Sequence, residues 1–196
     1  MGYGIEATTA DCYPGTSCLI NKLGIQDETK LAETEAAVVL GKASFLVQQP
    51  VTGKFDFTHY RSIHYFLFCD LYDWAGQIRT INISKKGTVF VSAAEIQACA
   101  DACFTRLAAF TGEGRSHQEI IEEIADFYST INMLHPFREG NGRTQRLFFT
   151  QWIRHLGYEF DLSNADLDEF MIATIYAAQG VMDPLIKFFD ETIQEP

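Results

Sequence analysis

The stretch SHQEIIEEIADFYSTINMLHPFREGNGRTQR, Ser116 to Arg146, holds the best-marked helix of the chain and its densest group of chemically capable side chains. It opens on a capping box: Ser116 accepts from the amides of the first turn, and Glu119 reaches back to the serine amide. Ile120, Ile124, Phe127 and Ile131 recur at helical spacing, and Ile121 and Tyr128 widen the stripe. The helix is expected to stop at His135, because Pro136 disfavours helical geometry in the residue before it. After the glycine-rich turn, Thr144 to Leu156 reads as the next helix, with Phe148, Trp152 and Leu156 in register and Gly157 as its cap.

The rest of the chain follows the same period. Ser92-Ala-Ala-Glu95 reads as a second capping box, opening a helix with Ile96, Cys99, Cys103 and Leu107 on one face. Asn164 to Gln179 reads as a helix stopped by Gly180, and Asp183-Pro184 starts the last one, with aspartate as cap. Upstream, Glu28 to Val47 and Thr58 to Tyr72 are expected as long helices. The exception is Thr80 to Val91, where polar and apolar residues alternate on either side of a Lys85-Lys86-Gly87 turn, a hairpin signal. With no repeat and no linker, the expectation is an all-α, compact multi-helix domain over 1–196 with one small β-hairpin.

Composition bounds the function. At 196 residues, 47% hydrophobic and 13% aromatic, the chain fills a real core. No apolar run is long enough to span a membrane, and the N-terminus lacks the pattern of a signal peptide. Five cysteines without a CxxC pair point to a reduced, cytoplasmic protein. A net charge of −11 argues against a nucleic-acid or anionic-membrane surface.

Against that acidic background, His135 to Arg146 collects an imidazole, a carboxylate, two glycines around an asparagine, and three arginines. The glycines let backbone approach a ligand closely, and the amides that open the following helix make an anion site. Arg143 and Arg146, three apart, share a helix face suited to further phosphates. Glu139 supplies the hard oxygen that Mg²⁺ takes beside nucleotide phosphates, and His135 a base for neutral pH. Together these groups describe phosphoryl or nucleotidyl transfer. Neither the spacing nor a preceding strand fits a Walker A loop, and without a second nearby histidine a metal hydrolase lacks ligands. Arg138 reads as exposed; His59, His64, His117 and His155 read as surface or satisfied core.

The same twelve residues resemble the signature of the Fic family, His-x-Phe-x-Asp/Glu-Gly-Asn-Gly-Arg-x-x-Arg, with every fixed position filled. Leu71 to Arg79 is similar to that family's Trp-Ala-Gly-x-x-Arg stretch, and the hairpin with Phe90 falls where the family carries its flap. Tyr13-Pro-Gly-Thr16 and Asn21-Lys-Leu-Gly24 resemble the start of short, toxin-like bacterial members. The resemblance implies AMP transfer from ATP to a serine, threonine or tyrosine hydroxyl of a protein target, or of the chain itself, with release of pyrophosphate. It implies that His135 takes the hydroxyl proton and that Glu139 holds Mg²⁺. Asn141 and neighbouring amides would form the anion hole, Gly140 and Gly142 would permit close approach, and Arg143 and Arg146 would grip the outer phosphates. Ile83, Ser84, Lys85 and Lys86 of the flap would hold the target segment as an added strand, with Trp74 packed beneath. The family position also suggests Gln179 and its neighbouring residues for the adenine pocket.

Alternatives within the family are γ-phosphate transfer, which goes with lysine at the place of Gly142, and phosphocholine transfer; a non-enzymatic, nucleotide-gated interaction module is a different class. Many relatives carry an inhibitory helix, Ser/Thr-x-x-x-Glu-Gly/Asn, whose glutamate pairs with the residue matching Arg146. That pattern is not intact here. Ala32 and Ala36 stand at its spacing on the N-terminal helix, 28–47, with Glu33 and Glu35 beside them. Either a partner such as a small antitoxin supplies the brake, or these are positions where one has been lost. Glu35 is the carboxylate an irregular version would use. The target and the oligomeric state are not written in the residues.

Overall fold

The computed structural model describes residues 10–85, 87–162 and 165–195. Among them the chain forms α1 (Glu28–Gln48), α2 (Phe57–Phe68), β1 (Ser84–Lys85), β2 (Thr88–Val89), α3 (Ile96–Ala108) and α4 (His117–Leu134). Then come α5 (Asn141–His155), β3 (Glu159–Phe160), α6 (Leu167–Ala178), α7 (Asp183–Thr192) and β4 (Ile193–Gln194). The helical architecture with its small hairpin agrees with the sequence: β1 and β2 pair antiparallel, Ser84 opposite Val89 and Lys85 opposite Thr88. A second antiparallel pairing, β3 with β4, ties the end of α7 to the loop after α5. Its strands have two residues each, too few for alternation to be legible.

Helix α4 is the element around which the others pack. Both halves of its capping box form, with Ser116 taking the Glu119 amide and Glu119 taking the Ser116 amide. Its buried stripe, including Ile120, Ile124, Phe127, Tyr128 and Ile131, lies among α3, α5, α6 and α7. α5 answers with Phe148, Phe149 and Trp152, all buried. Trp152 meets Phe127 at 5.5 Å and 86° and Phe149 at 5.6 Å and 88°. These are the edge-to-face arrangements that ring quadrupoles favour. On the other side of α5, α2 buries Tyr60, Ile63, His64, Leu67 and Phe68.

Several boundaries move, each for a local reason. The Ser92 hydroxyl bonds the Glu95 carboxylate, so it does not cap an amide; α3 begins at Ile96 without a side-chain cap. Its buried stripe is Ile96, Ala100, Cys103, Phe104 and Leu107, which leaves Cys99 exposed. α5 starts at Asn141, three residues before Thr144, because Gly140 takes the left-handed N-cap position. α6 is capped by Asp166, which accepts from the Asp168 and Glu169 amides; the Asn164 start lies outside the described residues. All five thiols are free, and no helix among the described residues is long and apolar enough to cross a membrane.

Packing of α5 in the core contributes more than the cap of α4. Phe148→Ala should lower the unfolding free energy by about 3–5 kcal/mol. Ser116→Ala should lower it by about 1 kcal/mol. Urea unfolding of both variants checks the order, and a cap loss as large as the core loss would contradict it.

Candidate active site

The site is built on the turn between α4 and α5. Its first residue, His135, ends α4 in the left-handed region at φ 40° and ψ 59°. Few residues other than glycine adopt that conformation, and it persists only where the surroundings enforce it. Here Pro136 blocks continuation of the helix, and the His135 amide still donates to the Ile131 carbonyl at 3.3 Å. The imidazole Nδ1 lies 2.9 Å from the Asn132 carbonyl, which only accepts. Nδ1 therefore carries the proton, and Nε2 holds the lone pair. Burial, with the Lys85 and Arg79 charges adding to it, pulls the His135 pKa down from 6.5 to about 3, against the Asn132 bond. The ring is neutral at physiological pH.

Asn141 closes the turn. Its Oδ1 accepts from the Phe137 amide and its Nδ2 donates to the Phe137 carbonyl, both at 2.8 Å, and the residue is 1% exposed. Both atoms of its carboxamide are thus engaged by Phe137. The amides of the first turn of α5, which have no acceptor within the helix, are what the turn offers an anion. Gly140, at φ 79°, is required twice over. A Cβ there would come within 2.3 Å of the Phe68 ring. Gly142 has ordinary room, its nearest neighbour being Arg146 Nη1 at 3.4 Å from a built Cβ.

Beneath the turn lies His64 of α2, fully buried and stacked on Phe137 at 3.8 Å and on Phe68 at 4.7 Å. Its Nδ1 accepts from the Gly76 amide at 2.8 Å, so Nε2 is protonated and donates to the Glu139 carbonyl at 3.0 Å. Burial first, and then the Arg143 charge, depress its pKa to about 3, against that bond. A neutral ring of one tautomer thus links α2, the Trp74-Ala-Gly76 turn and the carboxylate-bearing residue. Glu139 Oε1 accepts from the Gly140 amide at 2.8 Å.

The two arginines of α5 differ in their company. Arg143 Nη2 is 2.5 Å from Glu35 Oε1 and 3.5 Å from Glu139 Oε1, and its guanidinium lies over the Phe68 ring. The other oxygen of Glu35 takes the Tyr72 hydroxyl, whose pKa is raised by burial and then by Glu35. Arg146 is half-buried in the cleft, and among the described residues no carboxylate pairs with it. The cleft itself, about 360 Å³, runs from His135, Glu139, Gly142 and the arginines to an apolar wall on α6. Leu167, Phe170, Met171 and Ile175 form that wall.

The hairpin closes one side. Phe90 stacks on the His135 ring at 3.7 Å and 9°. Lys85 lines the cleft, Ser84 is half-buried, and Ile83, 3% exposed, is a root of the hairpin in place of a surface contact. Lys86 lies outside the described residues. Trp74 stacks on Tyr72 at 4.3 Å. Gln179 itself is exposed just past the end of α6 and is not in the cleft lining, but its neighbour Ala178 is.

Ala32 and Ala36 are both exposed, and neither lines the cleft. α1 docks through Leu31, Glu35, Val39 and Leu46, so the alanines, one residue round from Leu31 and Glu35, turn away. Arg138 is buried at 6% exposure, its Nε 3.2 Å from Asp11 Oδ2, where the sequence suggests an exposed charge. Arg79 and Phe90, which the sequence placed in family-like stretches without a role, contribute to the site, and so does His64, which read as surface or satisfied core. The one signal for His64 is a polar ring within the apolar stretch of α2.

The Fic/DOC family model matches residues 54–153. A relative from Sinorhizobium fredii, named a probable protein adenylyltransferase, is 38% identical over 89% of this chain and 90% of its own length. Among solved structures, BepC, a VirB-translocated effector of Bartonella tribocorum with bound AMPPNP, superposes with a TM-score of 0.87 at 28% identity. The match covers 95% of this chain and 97% of that one. An N-terminal Fic domain of a Bartonella quintana effector with bound ADP gives 0.86 at 29% identity, over 94% of each chain.

The two buried histidines give a pH prediction. Their folded pKa values lie below the ordinary 6.5, so above about pH 6.5 neither affects stability. As pH falls below that value the unfolded chain takes up protons that the folded chain refuses. Stability should drop by up to about 1.4 kcal/mol per pH unit for each ring. Nitrogen NMR of the imidazoles should show both rings still neutral at pH 5; titration of either near 6.5 would contradict the burial argument.

Proposed function

The chain belongs to the Fic/DOC family, and on that premise we propose that it is a protein adenylyltransferase, moving AMP from ATP to a hydroxyl side chain of a target protein. The observation that carries the reading is one cleft joining a neutral imidazole with its lone pair on Nε2 to a helix N-terminus flanked by two arginines. That pairing places a proton acceptor beside a polyphosphate site. The apolar α6 wall, with Leu167, Phe170, Met171 and Ile175, takes the adenine ring. The first amides of α5 take the α-phosphate, where negative charge builds up in the transition state. Arg146 and Arg143 take the outer phosphates through their guanidinium forks.

The serine, threonine or tyrosine oxygen of the target attacks the α-phosphorus. The new oxygen–phosphorus bond forms as the bond to the bridging oxygen breaks. Pyrophosphate leaves with that electron pair, and the hydroxyl proton passes to His135 Nε2. Lowered to about 3 by burial and the neighbouring cations, His135 is by itself a weak base. The charge of a bound polyphosphate pulls its pKa back towards the working pH, where a general base is most effective.

Glu139 fits a Mg²⁺ ion. It is the one carboxylate among the described residues lining the cleft, fixed by the Gly140 amide, and Mg²⁺ is held by one or two carboxylates with substrate phosphates. Such an ion offsets phosphate charge. The flap, through Ser84 and Lys85, seats an extended target segment as an added strand. Segments of the chain's own backbone meet the same requirement, which makes self-modification part of the reading. α1 bears on the site through Glu35: its carboxylate and an incoming phosphate compete for Arg143.

Intact-protein mass spectrometry after incubation with ATP and Mg²⁺, with cell extract as a source of acceptors, tests the assignment. The expected gain is one AMP unit per modified protein. His135→Ala should slow transfer about 10²–10⁴-fold. Transfer undiminished in that variant would remove His135 from the base role.

A further inference from the structure

Arg79 stands outside the signature motif, yet it is buried at 4% exposure immediately behind the base. Its guanidinium donates to three main-chain carbonyls: Nε to His135 at 2.8 Å, Nη1 to Ile81 at 2.7 Å and Nη2 to Val91 at 2.5 Å. Ile81 and Val91 are the two feet of the hairpin; His135 is the residue held in the left-handed turn. The main chain repeats the connection. The Arg79 amide donates to the Pro136 carbonyl at 2.8 Å, and the Val91 amide to the Met133 carbonyl at 3.0 Å. Between the feet, Phe90 lies flat on the His135 imidazole.

We propose that Arg79 is a positioning residue that makes the flap and His135 one rigid unit, so that a target segment seated on the flap arrives in register with the base. This deepens the adenylyltransferase reading and rests on it. The geometry needs a planar fork with donors aimed in fixed, divergent directions, which a guanidinium has and an ammonium lacks. A lysine at this position keeps the charge but releases at least one of the three carbonyls. The flap then shifts relative to the imidazole, and a misplacement of about 1 Å costs on the order of a hundredfold in rate. The nucleotide cradle, built from 139–146 and α6, stays as it was.

The test compares the full chain with Arg79→Lys. AMPPNP affinity by calorimetry should agree within about twofold, because the phosphate cradle is untouched. Amide hydrogen exchange across 81–91 should quicken about tenfold or more, with α4 and α5 keeping their protection. AMP transfer should show kcat down about tenfold or more with the KM for ATP unchanged. Unchanged exchange in the hairpin overturns the proposal, as does a parallel loss of AMPPNP affinity and kcat, which would mark a general structural role. Exchange is read without the reaction, so a wild-type chain that transfers no AMP refutes the enzymatic reading and not the coupling of flap to base. If Arg79→Lys does not fold, NMR of the wild-type guanidinium decides. Distinct, slowly exchanging Nη signals support the three-carbonyl grip, and one averaged signal overturns it.

Discussion

The left-handed turn at His135 is the constraint on which the site depends. A helix with a strong core face reaches a residue that proline forbids to be helical. The chain must reverse there, and the Asn141 amide, bonded twice to Phe137, fixes how sharply it does so. That reversal delivers three things at once: an imidazole at the end of α4, a carboxylate at the middle of the turn and the open amides of α5. No one of them has a position of its own. Phe137 is pinned between Tyr60 and His64, so the core of the fold holds the turn from beneath.

Electrostatics then separates the roles of groups that look equivalent in the chain. Arg143 and Arg146 lie on one helix face, yet Arg143 is held by Glu35 and stacked over Phe68 while Arg146 faces the cleft. Glu35 in turn anchors Tyr72, so α1, the loop after α2 and the motif form one polar contact under an otherwise apolar neck. His64 and His135 are both neutral and both of fixed tautomer, but for opposite uses. His64 donates its Nε2 proton to the turn, whereas His135 keeps a lone pair on Nε2. Burial sets the charge state, and the carbonyl each ring meets sets the tautomer.

Much of this was legible in the residues, and the limits are instructive. The Ser116 box and the 3.6-residue stripe located α4, and Pro136 marked its end, because those signals act within a few residues. The twelve-residue motif named His135, Glu139 and the arginines. What the sequence left out is what long-range packing decides. Glu35 is 108 residues from Arg143 and Arg79 is 56 from His135 along the chain, and no local pattern joins such pairs. Ala32 and Ala36 had the right spacing for a brake but the wrong face of α1, since spacing fixes which residues share a face and not which face docks. That the Asn141 side chain closes the loop is likewise seen only in its bonds to Phe137.

In the proposed reaction the cradle at the start of α5 orients ATP with its α-phosphorus beside His135. The most direct measurement is the fate of isotopic label from two ATP samples, one labelled at the α-phosphorus and one at the γ-phosphorus, after incubation with the chain and acceptor protein. Protein should acquire the α-label and none of the γ-label, with the γ-label recovered in pyrophosphate. Transfer of the γ-label to protein would mean instead that the nucleotide lies the other way round, with its γ-phosphorus beside His135.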